Sequence, residues 1–219
     1  MQGAFPEVRR EGPGTSPGAV GGTGPSRSEV AHRVLVAFSS RFGNTERIAQ
    51  ALSRGLRRAG GAEVDCRSID GLSAREILPY DLFALGGPTE IMSASAPMKE
   101  FLGRLAPDRL RGRRAFAFDT RLEGRLSGSA GRYIERHLEG LGMEIVRPHA
   151  SALVRGMTKP ERLRYGSEGA PAWVKKLDRP AESPTGSPPG PLDLLLPGGE
   201  AAFEEIGAEL ARALPVRTR

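Results

Sequence analysis

The chain has 219 residues, 38% apolar and 26% charged, with a net charge of +6, a texture that suits one globular domain with additions. Its pI near 10.1 leaves an acidic partner open, but no interleaved aromatics and no zinc-finger or RNA-binding signature accompany the charge, so no nucleic-acid role is expected. No apolar run approaches the roughly 20 residues a membrane span needs, the first 30 residues hold no apolar core of a secretory leader, and the lone cysteine, Cys66, has no internal partner; a cytoplasmic protein is expected.

Residues 1–30 are rich in Gly, Pro and Ser and read as a disordered tail, because they cannot bury enough apolar surface to offset ordering entropy. From residue 31 the texture changes. "RVLVAFSS" is a continuous apolar run bounded by a turn, the pattern of a strand buried on both faces. Asn44 to Ala59 carries Ile48, Leu52, Leu56 and Ala59 at helix spacing and is closed by Gly60-Gly61. A second strand over 63–70 alternates more and is expected nearer an edge. "DLFALGGP" (81–88) is a third, buried strand. Residues 95–105 form a helix with Ser95 as N-cap and Met98, Phe101, Leu102 and Leu105 inward. Residues 114–120 are a fourth strand, 127–141 a helix, and 143–148 a fifth strand that 150–154 extends past Pro148. Regularity stops over 157–198, which holds the only tryptophan, Trp173. A last helix covers 199–215, with Phe203, Ile206, Leu210 and Leu214 in register.

Strands alternating with helices imply a parallel sheet with right-handed crossovers. The expected domain is therefore residues 31–156 plus the helix at 199–215, interrupted by an irregular insertion at 157–198. In such a doubly wound fold, ligands sit past the carboxyl ends of the strands, where strand order reverses. Three loops then matter: 39–45, 87–95 and 119–128. The first leads into a helix N-terminus, where free N–H groups and the helix dipole suit an anion. Ser39, Ser40 and Thr45 add hydroxyls, Asn44 an amide, and Gly43 close backbone approach. The turn lacks the lysine of a nucleoside triphosphate loop and the glycines of a dinucleotide fingerprint. A single terminal phosphate fits these neutral donors; an ordinary helix cap at Ser40 or Asn44 fits the composition equally well.

"VLVAFSSRFGNTERIAQAL" closely resembles the FMN-phosphate signature of flavodoxins, with Phe38, Ser40, Gly43, Thr45, Ala49 and Leu52 on its fixed positions and Ala37 where a larger residue is usual. "YDLFALGGPTEIMSASAPMKEFL" is similar to a second family segment, with its Gly-x-Pro-Thr turn and Pro-Met-Lys-x-Phe-Leu helix. "AFAFDTRLEGRLSGSAGRYIERHLEGLGMEIV" is similar to the third flavin loop and the helix after it. The resemblance implies a flavodoxin-like doubly wound sheet of five parallel strands, order 2-1-3-4-5, with helices on both faces. It implies FMN as cofactor. Ser39, Ser40, Arg41, Phe42, Gly43, Asn44 and Thr45 would hold the phosphate. Pro88, Thr89, Glu90, Ile91 and Met92 would run along one edge and face of the ring. Asp119, Thr120, Arg121 and Leu122 would approach the pyrimidine side or the other face. The chain departs from many flavodoxins in having no aromatic and no glycine over 89–95.

The function implied is electron transfer between protein partners, the alternative an NAD(P)H-dependent reductase of a quinone or other small molecule. A third reading is a non-redox binding protein that has lost FMN; the retained hydroxyl-rich loop speaks against it. The expected partner is a redox protein or a small-molecule electron acceptor, with no nucleic acid and no membrane; a homo-oligomer stays open. His32, His137 and His149 lie outside the three loops and no cluster has metal-ligand spacing, so neither a histidine base nor a metal is expected.

Overall fold

The computed structural model describes residues 32–124, 128–161 and 191–215. The expected tail, Trp173 and most of the expected insertion lie outside them. The strands are β1 (His32–Phe38), β2 (Ala62–Ser68), β3 (Leu82–Glu90), β4 (Ser93–Ala94), β5 (Arg114–Leu122), β6 (Glu144–Ile145) and β7 (Ala150–Val154). The helices are α1 (Asn44–Ala59), α2 (Ala74–Ile77), α3 (Ala96–Gly103), α4 (Pro107–Leu110), α5 (Ala130–Gly140) and α6 (Gly199–Arg212).

The sheet runs β2-β1-β3-β5-β6, with β7 also on β5 and β4 folded back on β3. All pairings are parallel except β3–β4. β5 is the fourth strand of the sequence reading, and β6 with β7 is the fifth, so the expected order stands. The split has a simple cause. Ala115 pairs with Ile145 and Phe118 with Ala150, so five steps on one strand face three on its neighbour. The two extra residues fall around Pro148, which has no N–H for the ladder. β2 is the edge its alternation suggested, and Cys66 on it is half-buried; burial pushes its thiol up from the usual range.

Side chains alternate from the sheet into two cores. Leu35, Ala37, Phe83, Leu85, Ala115 and Ala117 meet Met98, Phe101 and Leu102 of α3 and Ile134 and Leu138 of α5. Val34, Val36, Leu82, Ala84, Phe116 and Phe118 meet Ile48, Leu52 and Leu56 of α1 and Phe203, Ile206 and Leu210 of α6. On that second face α1 and α6 approach at glycines: a Cβ at Gly55 would lie 1.9 Å from the Glu204 carbonyl oxygen, and one at Gly207 2.2 Å from that of Leu52. Ion pairs of Arg47 with Glu200 and Arg54 with Glu204 flank the contact.

Residues 191–196 lead into α6 along the sheet edge. Arg155 N–H donates to the Leu194 carbonyl at 2.8 Å and Leu196 N–H to that of Leu153 at 2.9 Å, with an antiparallel bridge between Val154 and Leu195. The end of the expected insertion is thus an added rung on β7.

Candidate functional site

β1 lies between β2 and β3, so the strand order reverses there, and the three loops expected to matter leave the carboxyl ends of β1, β3 and β5, which are neighbours in the sheet. Gly86 and Gly87 on β3 leave room between them: a Cβ on Gly86 would lie 2.1 Å from the Phe118 ring, and one on Gly87 3.2 Å from Ser39 Oγ.

The first loop tightens into α1 through Gly43, whose φ of +83° is glycine territory. Neither cap anticipated from the sequence forms as such. Gly43 holds the N-cap position, Asn44 is the first helical residue, and Ser40 Oγ accepts from Glu46 N–H at 3.3 Å. The other leading N–H groups of α1 have no intrahelical acceptor, as at any helix start. Asn44 has a task the sequence did not disclose. Its Nδ2 donates to the Leu192 carbonyl at 2.9 Å and its Oδ1 accepts from Leu194 N–H at 3.0 Å, while Leu192 N–H donates to the Phe42 carbonyl. Segment 191–195 is thereby buckled to the loop, with Arg47 paired to Asp193 alongside. Arg41 is exposed and stacks its guanidinium 5.1 Å from the Phe42 ring centre.

The second loop is a hairpin. β3 turns back into β4 through Ile91 and Met92, with Thr89 opposite Ala94 and Glu90 opposite Ser93. Both turn residues have positive φ, 46° and 65°, as a two-residue hairpin of the favoured hand requires. Such turns prefer Asn and Gly; a β-branched residue there is strained, and strain of this kind gathers at functional sites. Both side chains point outward, Ile91 73% and Met92 63% exposed, and Leu122 at the end of β5 is 51% exposed. Pro88, Thr89 and Glu90 are half-buried beside them. Ser95 stands at the N-cap position of α3, but its hydroxyl goes to Ser39 Oγ at 3.3 Å instead of capping the helix.

The third loop is tied down by Asp119, which is fully buried. Its Oδ2 accepts from Thr89 Oγ1 at 3.0 Å, Ser129 Oγ at 2.8 Å and Gly131 N–H at 2.9 Å, while Oδ1 is buried without a partner among the described residues. Ser129 in turn caps α5 by accepting from Arg132 N–H at 3.0 Å, so the helix starts at Ala130 rather than 127. Thr120 Oγ1 meets Thr45 Oγ1 at 2.8 Å, both buried. Arg121 Nη1 donates to the Gly124 carbonyl. Met92 bridges to Gly128, where a Cβ would fall 2.3 Å from Met92 Cα.

The expected site residues therefore converge on one rim, stitched by Ser39–Ser95, Thr45–Thr120 and Thr89–Asp119. They divide by accessibility. Ser40, Arg41, Phe42, Gly43, Pro88 to Met92, Arg121 and Leu122 have surface to offer, whereas Ser39, Asn44, Thr45, Asp119 and Thr120 are buried and bonded within the protein.

A family model described as a flavodoxin domain matches residues 35–170. The chain belongs to the flavodoxin family. Among solved structures, it is similar to a flavodoxin from the domain Archaea, at 19% identity and a TM-score of 0.57, covering 82% of this chain and 96% of the other. It is similar also to the oxidised flavodoxin 1 of Bacillus cereus, at 17% identity and a TM-score of 0.58, covering 84% and 99%. A curated flavodoxin of Aquifex aeolicus is 33% identical over 76 residues, 35% of this chain and 41% of that relative. One of Clostridium saccharobutylicum is 27% identical over 88 residues, 40% and 55%. The chain spans about half the length of the curated relatives it matches. Flavodoxins are flavin proteins, and the rim suits that use: a helix N-terminus with neutral donors at one end, exposed apolar side chains at the other. No helix among the described residues is long and apolar enough to cross a membrane.

Proposed function

We propose that the protein binds FMN and carries electrons between protein partners. The observation that supports this most is the head of α1: a lysine-free turn, bent by Gly43 and offering the Ser40 hydroxyl, placed beside an exposed apolar hairpin tip. Neutral donors on a helix dipole suit a single phosphate. Ile91 and Met92 on one side and Leu122 on the other offer apolar surface to a flat ring.

The flavin, when bound, supplies the redox chemistry; the protein supplies binding, orientation and electrostatics. Ser40 and the N–H groups of residues 41–45 would hold the phosphate. Thr45, bonded to Thr120, would set the distance between phosphate turn and third loop. Asp119 acts at one remove: it fixes Thr89 and the start of α5, and so the two loops that would flank the ring. Asn44 acts in the same way, by tying the turn to residues 191–195. The exposed tip leaves an edge open to a partner, and Arg41 and Arg121 place positive charge near it.

The test separates this reading from its alternative. Anaerobic addition of NADPH or NADH to the FMN-loaded protein should leave the flavin absorbance unchanged, while photoreduced protein should pass electrons to an added acceptor protein. Direct bleaching by the nicotinamide would overturn the carrier reading in favour of a reductase. A reducing compartment is proposed on the single cysteine alone.

A further inference from the structure

Behind the third loop, α5 and the edge strand β7 leave an open cleft of about 950 Å³. Its walls include Arg121, Arg132, Arg136, Tyr133, His149 and Leu153, and no aspartate or glutamate lines it among the described residues. We infer that this cleft binds a phosphate-bearing organic anion of nucleotide size.

Three observations carry this. The first is charge. Arg132 and Arg136 stand one helical turn apart, on the same face of α5, and neither forms an ion pair among the described residues. Arg47, Arg54, Arg67, Arg147 and Arg155 elsewhere are each held by a carboxylate. Glu135, the one carboxylate on this stretch of α5, is turned to His149, accepting from its backbone N–H and its ring. Lys99 adds charge from α3, its Nζ 5.4 Å from the centre of the Tyr133 ring. Two guanidinium forks one turn apart, with no carboxylate partner among the described residues, suit the oxygens of a phosphate group.

The second is size. The volume sits at the upper end of organic-ligand pockets, far beyond what an inorganic phosphate fills. The third is the mixed wall. Met92, Tyr133 and Leu153 present apolar surface beside the arginines, and Ser151 a hydroxyl. That suits a molecule with a ring as well as an anionic group. A concave wall that sets apolar side chains beside its arginines favours a small molecule over the flat, acidic surface of a protein.

The cleft is separate from the head of α1: no residue of Ser39–Thr45 lines it. It meets the rim proposed for the flavin only at Met92 and Arg121, so an occupant would lie beside that rim. The inference does not depend on flavin being bound.

The test is calorimetric titration of the full chain with ADP, pyrophosphate and adenosine as probes, with and without saturating FMN. ADP should bind under both conditions, more tightly than pyrophosphate, which lacks the ring, and than adenosine, which lacks the charge. Arg132→Ala/Arg136→Ala should weaken ADP by about tenfold or more, the loss of a charge-assisted pair, while its FMN affinity stays at the wild-type value. Arg75→Ala/Arg109→Ala, two exposed arginines lining a different hollow, should change neither. Absence of ADP binding at millimolar concentration, equal loss in the two double variants, or displacement of ADP by FMN would each overturn the inference. So would pyrophosphate binding as tightly as ADP, or poly-glutamate binding to the cleft where ADP does not.

Discussion

At the scale of single residues, the site rests on side chains that a ligand need not touch. Asp119 is the clearest. It is fully buried and gathers a hydroxyl from β3, a hydroxyl and an amide from the start of α5. Truncation leaves those donors without their acceptor, and a buried polar group left unpaired costs about 1–3 kcal/mol. Asp119→Ala should therefore lower unfolding free energy by about 3 kcal/mol in urea denaturation, and Asp119→Asn by less; an unchanged midpoint for Asp119→Ala would contradict the anchoring role. Ser40 is the opposite case, half-buried, with a hydroxyl that among the described residues accepts only from Glu46 N–H. Ser40→Ala should cost about 1 kcal/mol of stability as the lost hydrogen bond to the Glu46 N–H, and should weaken FMN more than riboflavin, because only FMN carries the phosphate. Ser40 and Gly43 could be singled out from residue type and order alone. The inward task of Asn44 could not, since its partners Leu192 and Leu194 lie about 150 positions away.

At the scale of elements, legibility followed the strength of local signals. α1 was readable end to end because its buried positions Ile48, Leu52 and Leu56 keep helical spacing and Gly60 closes it. α2 and α4 were missed, being single turns of four residues with no periodicity to show. β4 was missed because Ile91-Met92 carries none of the Asn-Gly chemistry that announces a two-residue turn. The helix pair α1 and α6 yields a prediction that helix propensity alone would reverse. Gly207→Ala gains up to about 1 kcal/mol of helix propensity, yet its Cβ would overlap the Leu52 carbonyl oxygen. Forcing the helices apart costs about 1–3 kcal/mol, so the variant should melt below the wild type; a higher melting temperature would show that the helices do not touch at glycine. The edge around β7 yields another. Arg155 bonds Glu161 through both guanidinium nitrogens, and the Glu161 carboxyl is lowered to about 2, chiefly by Arg155 and then by Thr158. A folded-state value below the unfolded one means the link stabilises fully above the ordinary carboxylate range and is lost as pH falls through about 2. The Glu161 side-chain carbon signal should titrate near that pH by NMR; a midpoint near 4.5 would mean the clamp is not formed.

At the scale of the whole molecule, the parallel doubly wound sheet was legible because buried strands read as unbroken apolar runs and their crossovers as amphipathic helices, while the strand order followed only from the resemblance to flavodoxins. Two features escaped it. One is the return of 191–196 to β7 and to the turn before α1, which joins the end of the expected insertion to the candidate site. The other is the arginine-lined cleft behind the third loop, since α5 and β7 meet only in the fold. The central claim, that the head of α1 holds the phosphate of FMN, is tested most directly by fluorescence titration of the full chain with FMN and with riboflavin. The account predicts that FMN fluorescence is quenched at micromolar protein and that riboflavin binds at least about tenfold more weakly, the loss of a charge-assisted phosphate contact. No quenching of FMN, or equal affinity for the two ligands, would contradict it.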